Sequence, residues 1–434
     1  MPGVPGVPGE LAPLASFCLR EAFRSVLTNS LSPTSTTQFL LKTPRFLGLL
    51  ASTSALGMAF SFVVPFLSLW GTTRVGFTPV QFGAFMTAVT LSAMCWSIGL
   101  GHWSDRNSTR RTLLLLGGSG GALGYAGYAF VTNPWLLVLI GTMLVAVASI
   151  CFSQIFAHVR EVYSLAGPAL PGKPPAYVMS IVRACFSLSW TVGPAMAAVM
   201  LAHFSFTGLF LCASGLFLAF VVGVACFIPA APPPAWTSAG APPSIRHALV
   251  QPAMLFSSLV MAVVFAAHSL NMLNFPLYLT HELQLSTREF GIAYGIGPLV
   301  ELPLMLWFGR CATKAGRYRL MQLGVVATCI YFVLIFLATE PWHVFCAQVL
   351  SGVSFAILTN VAITFFQDLR PGQAGLATGV FSTATNTGHL VGFLAFGFVL
   401  ESGGPRGIPV VGALLCAAAF GVFLLVHRHA VTPD

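Results

Sequence analysis

Two lone charges stand out because each is set in a run of apolar residues. Arg183 lies in YVMSIVRACFSLSWTVGPAM and Glu301 in GIGPLVELPLMLW. A charge at bilayer depth costs about 2.5–3.5 kcal/mol on insertion scales, so such a residue must face a partner or a water-filled cavity. Ser187, Trp190 and Pro194 follow Arg183 at i+4, i+7 and i+11, along one helical face. A cation, a hydroxyl and an aromatic ring in one stripe suit a sugar. Arg and Ser bond its hydroxyls, and Trp covers its apolar ring face. The competing role for Arg183 is snorkelling to the membrane interface. Glu301 has no basic residue near it in sequence. Desolvation penalises the charged form of an isolated carboxylate, which makes Glu301 the first candidate for a proton carrier. Its competing role is that of a structural carboxyl, neutral or paired.

Polar stripes recur in the second part of the chain. His268, Asn271 and Asn274 stand at i, i+3 and i+6; Asn360, Thr364 and Asp368 at i, i+4 and i+8; Ser382, Asn386 and His389 at i, i+4 and i+7. Each stripe suits hydroxyl recognition, and each could instead bond helix to helix. Together they favour a polar cavity lined by His268, Asn271, Asn274, Asn360, Asn386 and His389. Asp368 is the second candidate for proton coupling. Glu161 is a third, within reach of Arg160 or Arg183 as an ion-pair partner.

These residues need a scaffold that holds them at depth. Charged residues make up 7% of the 434-residue chain, against about 25% in soluble domains, and 56% of residues are hydrophobic. The apolar runs are continuous over the length of a membrane-crossing helix, which excludes the alternating strands of a β-barrel. Twelve spans are expected near 46–69, 80–100, 112–132, 135–157, 177–203, 206–228, 250–278, 289–309, 319–338, 342–365, 374–400 and 407–427. The Pro-rich stretch 229–249 reads as a linker between residues 46–228 and 250–427. Residues 1–45 read as a disordered cytoplasmic tail, and residues 428–434 as a cytoplasmic tail. The fold class is therefore an all-α polytopic membrane protein of two six-helix bundles.

The net charge of +9 could attract nucleic acid, but its placement serves topology instead. With a cytoplasmic N-terminus, the outside loops hold only Arg74, Arg288 and Arg406 of the 20 Lys and Arg residues. Ten cysteines include no C-x-x-C pair, so neither disulfides nor a metal are expected. No cofactor, no Ser/His/Asp arrangement and no loop of paired aspartates suggest an enzyme.

The densest charge lies in GHWSDRNSTRRT, from Gly101 to Thr112. Asp105 can face the positive end of a neighbouring helix and pair with an Arg, closing one side of the membrane in one state. Shifted by 208 residues, Gly101 maps to Gly309, Arg106 to Lys314, Arg111 to Arg319 and Arg160 to Asp368. Two matched six-span halves suit a secondary transporter with its substrate site between them.

The Gly101-x-x-x-Asp105-Arg106 run with Arg110-Arg111 resembles the loop 2–3 signature of the major facilitator superfamily. That resemblance implies a gating role for Gly101, Asp105, Arg106 and Arg160. Ser108 and Thr109 depart from the pattern, as does Thr313 in the second copy. IFAHVREVYS (155–164), SLSWTVGPA (187–195), LVELPLM (299–305) and FFQDLRPGQAGLAT (365–378) resemble the bacterial sugar efflux transporter family within that superfamily. The resemblance implies export of sugars or glycosides in exchange for protons, in the bacterial inner membrane; the fold needs no partner, and a monomer is expected. The rival readings are a drug exporter of the same fold and a non-transporting sensor.

Overall fold

The computed structural model describes residues 44–107, 110–160, 175–228, 251–311, 314–370 and 373–430. Eight segments are long and apolar enough to cross a membrane. Two of these, Ile181–Phe227 and Leu376–Leu424, double back at a single residue each. Arg110–Phe130 and Thr287–Cys311 complete a set of twelve membrane-length helices among the described residues. We number them α1 (44–75), α2 (Pro79–Asn107), α3 (Arg110–Phe130), α4 (134–160), α5 (175–204), α6 (206–227), α7 (252–282), α8 (Thr287–Cys311), α9 (Lys314–Leu337), α10 (341–369), α11 (374–403) and α12 (405–430). The expected N-terminal tail (1–43), the linker (229–250) and the last residues (431–434) lie outside the described residues.

Successive helices alternate direction, so α1 starts and α12 ends on the same side. We call this side the termini end and the opposite side the far end. Six helices begin at the far end, and their starts repeat between halves. Helix α2 opens with Thr78 and Gln81, each side chain bonded to the other's backbone N–H at 3.2 and 3.0 Å. Helix α8 opens the same way: the Glu289 carboxylate accepts from the Ser286 N–H at 2.9 Å, and the Ser286 hydroxyl accepts from the Glu289 N–H. Pro134 starts α4 behind Asn133, whose side chain accepts from Trp135 and Leu136. Pro341 starts α10, with His343 Nδ1 accepting the Glu340 N–H at 3.1 Å. Helices α6 and α12 start by folding back at Ser205 (φ 59°, ψ −176°) and Gly404 (φ 63°, ψ −175°). A helix start exposes orphan N–H groups; α2 and α8 meet that need with the same reciprocal pair, while α4 and α10 share a Pro in the first turn but differ in the side chain that accepts.

The internal pattern repeats as well. Five-residue π turns interrupt α1 at Gly71–Val75, α4 at Gly141–Val145, α7 at Tyr278–Glu282 and α10 at Ile357–Val361. These are the first and fourth helices of each half.

Within lipid, helices associate by close packing rather than by exclusion of water. The GGSGGALG run of α3 serves this. Gly117 and Gly124 abut Cys151 and Val145 of α4, while Gly118 and Gly121 abut Phe220 and Phe217 of α6. Aromatic rings fill the first half: Trp70 stacks on Tyr128 at 5.0 Å, and Tyr125 on Phe217 at 5.5 Å.

The two halves meet at the far end. A Cβ on Gly291 or Gly295 of α8 would lie 2.8 Å from Ala195 Cα or 2.9 Å from the Thr191 carbonyl oxygen of α5. On the opposite flank, a Cβ on Gly83 of α2 would lie 2.8 Å from the Phe393 carbonyl oxygen of α11, and Gly397 abuts Val80. Phe66 of α1 stacks on Phe290 of α8 at 4.8 Å between these seams.

Candidate substrate cavity

The face of α11 that meets α2 at the far end can be followed toward the termini end. Phe393 and Gly397 touch the first half. One helical heptad below Phe393 stands Asn386, and below it Thr383 and Ser382. Ser382, Thr383 and Asn386 are all exposed. Polar groups open at bilayer depth face water rather than lipid, so this stripe lines a cavity between the halves, open toward the termini end. The sequence stripe held Ser382 and Asn386. The neighbouring Thr383 was missed, although it stands beside Ser382 in the same run.

Helix α5 supplies the other wall. Its face meets α8 through Thr191 and Ala195, and continues to Ser187, Trp190 and Arg183, all half-buried. The Trp190 Nε1–H is buried without a hydrogen-bond partner. Arg183 interacts electrostatically with Glu301 of α8, across the boundary between halves. The structure thus brings together the two lone charges. The pairing of Arg183 with Glu161 considered from sequence cannot be followed, because Glu161 lies outside the described residues. The Thr359 hydroxyl of α10 is the polar neighbour of Glu301, another residue missed from sequence. Next to it, Asn360 Nδ2 donates to the Met305 carbonyl at 3.0 Å, holding α10 against α8.

Other stripe residues are engaged inside the second half. Asn271 Nδ2 donates to the Tyr331 hydroxyl at 2.9 Å, and Asn274 Nδ2 to the Pro405 carbonyl at 2.9 Å. His268 is buried against the Phe355 ring at 4.5 Å. His389 Nδ1 pairs with the Ser269 hydroxyl at 2.6 Å, tying α11 to α7. Asp368 pairs with Arg317 at 2.7 Å, joining the end of α10 to the start of α9. Each of these five residues thus has a neighbour within the second half.

At the termini end, Gly101, Asp105 and Arg106 lie in the last turns of α2, and Arg160 ends α4. Their side chains lie outside the described residues. Arg110 is buried, with Nη1 bonded to Gln154 of α4 at 3.1 Å. Thus the first turn of α3 reaches α4 as the first turn of α9 reaches α10. Arg111 ties α3 to the Ala225 carbonyl of α6 at 2.7 Å.

Twelve membrane-length helices in two repeated halves, with a polar cavity between them, define a multi-pass membrane transporter rather than an enzyme. Comparison with known proteins narrows this class. The Major Facilitator Superfamily profile matches residues 257–434. A Deinococcus radiodurans protein named for sugar efflux transport is 32% identical over 89% of this chain and 99% of its own length. Sugar efflux transporter A of Dickeya chrysanthemi is 31% identical over 80% of this chain and 86% of its own length. Among solved structures, the nucleoside transporter NupG superposes with a TM-score of 0.75 at 15% identity, over 90% of this chain and 100% of its own. The chain belongs to the sugar efflux transporter family of the major facilitator superfamily.

Proposed function

We propose that this protein exports sugars or glycosides in exchange for protons. The observation that carries this reading is the exposed polar face of α11, opposite Arg183, Ser187 and Trp190 in a cavity between halves. Hydroxyl and amide groups on one wall, with a cation and an indole on the other, match a ring that is polar at its edge and apolar on its face. The names of the relatives support the same substrate class.

In this reading the termini end is cytoplasmic, in a bacterial inner membrane, because the Lys and Arg residues concentrate there. The cavity then faces the cytoplasm, ready to load an export substrate. Residues 46–228 and 250–427 rock against each other about the linker 229–249, in a monomer without cofactor. Glu301 carries the proton, and Asp105 with Arg106 closes the cytoplasmic side in the opposite state.

A second reading, export of apolar xenobiotics, is favoured by the aromatic group on α4 and α5. Phe152 is 44% exposed, with its ring 4.9 Å from both Phe156 and Phe186. Flux of labelled glycosides in proteoliposomes under an imposed pH gradient tests the first reading against the second. We expect sugar movement that follows the gradient. Sugar flux indifferent to the gradient removes antiport, and dye or drug flux without sugar flux selects the second reading.

A further inference from the structure

The polar stripe of α11 ends at His389, whose ring is held on three sides. Its Nδ1 pairs with the Ser269 hydroxyl of α7 at 2.6 Å. The Phe393 ring stacks on it at 6.2 Å, and the Phe265 ring meets it edge-on at 5.3 Å. Glycines set the spacing of the two helices. Gly388 and Gly392 of α11 abut the Ala262 and Ala266 carbonyl oxygens of α7, and a Cβ on Gly392 would lie 2.7 Å from Ser269 Cβ. The fourth side of the ring is different. Nε2 has no hydrogen-bond partner among the described residues. The His268 Nε2 is enclosed without a partner, whereas that of His389 is not enclosed. His389 stands three residues from Asn386 and seven from Ser382, beside the face that lines the cavity.

Counting protons fixes the character of that open nitrogen. The Ser269 hydroxyl carries one proton and meets two groups, the Phe265 carbonyl oxygen at 2.9 Å and His389 Nδ1 at 2.6 Å. If the proton goes to the histidine, two oxygens lie 2.9 Å apart with no hydrogen between them. If it goes to the carbonyl, Nδ1–H donates to Oγ and both contacts are hydrogen bonds. The second arrangement wins by one bond. The ring is neutral, because a lone charge at bilayer depth is costly and no ion pair holds His389 among the described residues. A neutral imidazole that donates at Nδ1 only accepts at Nε2. Resting on the sugar-export reading, we propose that His389 Nε2 is a fixed acceptor for one sugar hydroxyl, and that Ser269 is the positioning residue that fixes it.

An acceptor of fixed polarity selects by what the ligand donates. Ser382 and Asn386 each carry donor and acceptor groups, so they tolerate either partner. Nε2 takes a hydroxyl and turns away an ether oxygen or a fluorine in the same place, because two lone pairs then face each other. An analogue without the hydroxyl leaves the nitrogen unpaired, which also weakens binding. Ser269 does not touch the sugar in this arrangement; its hydroxyl is engaged by Phe265 and His389. Removing that hydroxyl leaves Nδ1–H without an acceptor and frees the ring to carry its proton on Nε2. The acceptor then becomes a donor, and the preference reverses.

Two measurements test this. Nitrogen-15 NMR of histidine-labelled protein reads the tautomer, with the His389 signal identified by its loss in H389Q. We expect the proton on Nδ1 in the wild type and a shift toward Nε2 in S269A. Proteoliposomes are then screened against labelled glucosides, galactosides and their disaccharides. For a sugar that is carried, binding of its single-deoxy and deoxyfluoro analogues is measured on the purified wild-type protein. Fluorine keeps the size and the lone pairs of a hydroxyl but cannot donate. At one hydroxyl both replacements should weaken binding by about tenfold, and in folded S269A the fluorine penalty at that hydroxyl should shrink. A wild-type proton on Nε2, or a tautomer unchanged in S269A, overturns the proposal. If a sugar is carried but no hydroxyl shows both losses, the acceptor is overturned while sugar export stands. If no sugar is carried, the export reading falls and the acceptor role falls with it. The analogue series needs no variant, so a misfolded substitution leaves the outcome decidable.

Discussion

The far-end seam can be tested by adding one carbon atom at a time. In the closed state, a Cβ on Gly291 would lie 2.8 Å from Ala195 Cα, and one on Gly295 would lie 2.9 Å from the Thr191 carbonyl oxygen. Ordinary contact begins at 3.4 Å, so each methyl requires a shift of about half an ångström from a backbone atom with little room. Overpacking of this kind costs about 1–3 kcal/mol. The cost falls only on the state in which the far end is closed. Gly291→Ala with Gly295→Ala should therefore raise the population open at the far end by about 5- to 150-fold, or more if the two add. The reporter is Thr383→Cys, in a background where the exposed Cys95, Cys226 and Cys346 are replaced. A membrane-impermeant maleimide applied from the far side reads the minor state, and its rate scales with that population. A rise in far-side labelling, with a fall from the termini side, is the expected result. Unchanged far-side labelling in a folded double variant refutes the argument that this glycine seam holds the closed state.

Three further outcomes follow from other parts of the molecule. Ser205 holds a backbone conformation that is essentially reserved for glycine, and its side chain is exposed. Ser205→Gly should raise the thermal midpoint in detergent, whereas Gly404→Ala, where a Cβ meets nothing within 4 Å, should lower stability by about 1–3 kcal/mol; a neutral Gly404→Ala would remove the strain argument. Asp368→Asn breaks the Arg317 bridge, whose side chains are only 18% and 26% exposed. We expect about 1–3 kcal/mol of lost stability, with gradient-driven export retained. Glu301→Gln should do the opposite, keeping stability while abolishing gradient dependence. Loss of coupling in the Asp368 variant alone would transfer the carrier role to Asp368. Asn133→Ala removes the acceptor for two N–H groups at the start of α4 and should cost about 1 kcal/mol in denaturant or heat titrations.

Much of this protein was legible in the sequence, for a physical reason. A bilayer imposes its thickness on every span, and charge is excluded from its interior. The number of helices, most of their limits to within a few residues, the two-fold repeat and the isolated positions of Arg183 and Glu301 therefore appear as one-dimensional patterns, although α2 runs seven residues past its expected end. The polar stripe of α11 was visible in the same way, at helical spacing. What a helix faces is not written in its own residues. Asn271, Asn274 and His268 read either as sugar-binding groups or as bonds between helices, and their neighbours Tyr331, Pro405 and Phe355 lie on other helices, which no local pattern could name. Asp368 was read as the second candidate for proton coupling, and its ion-pair partner Arg317 lies 51 residues away in sequence. The partner of Glu301 is more distant still, on the other half of the chain. Sequence alone determined that two opposite charges must be buried. Only the packing of α5 against α8, set by glycines that let two backbones approach, decided that those charges face each other.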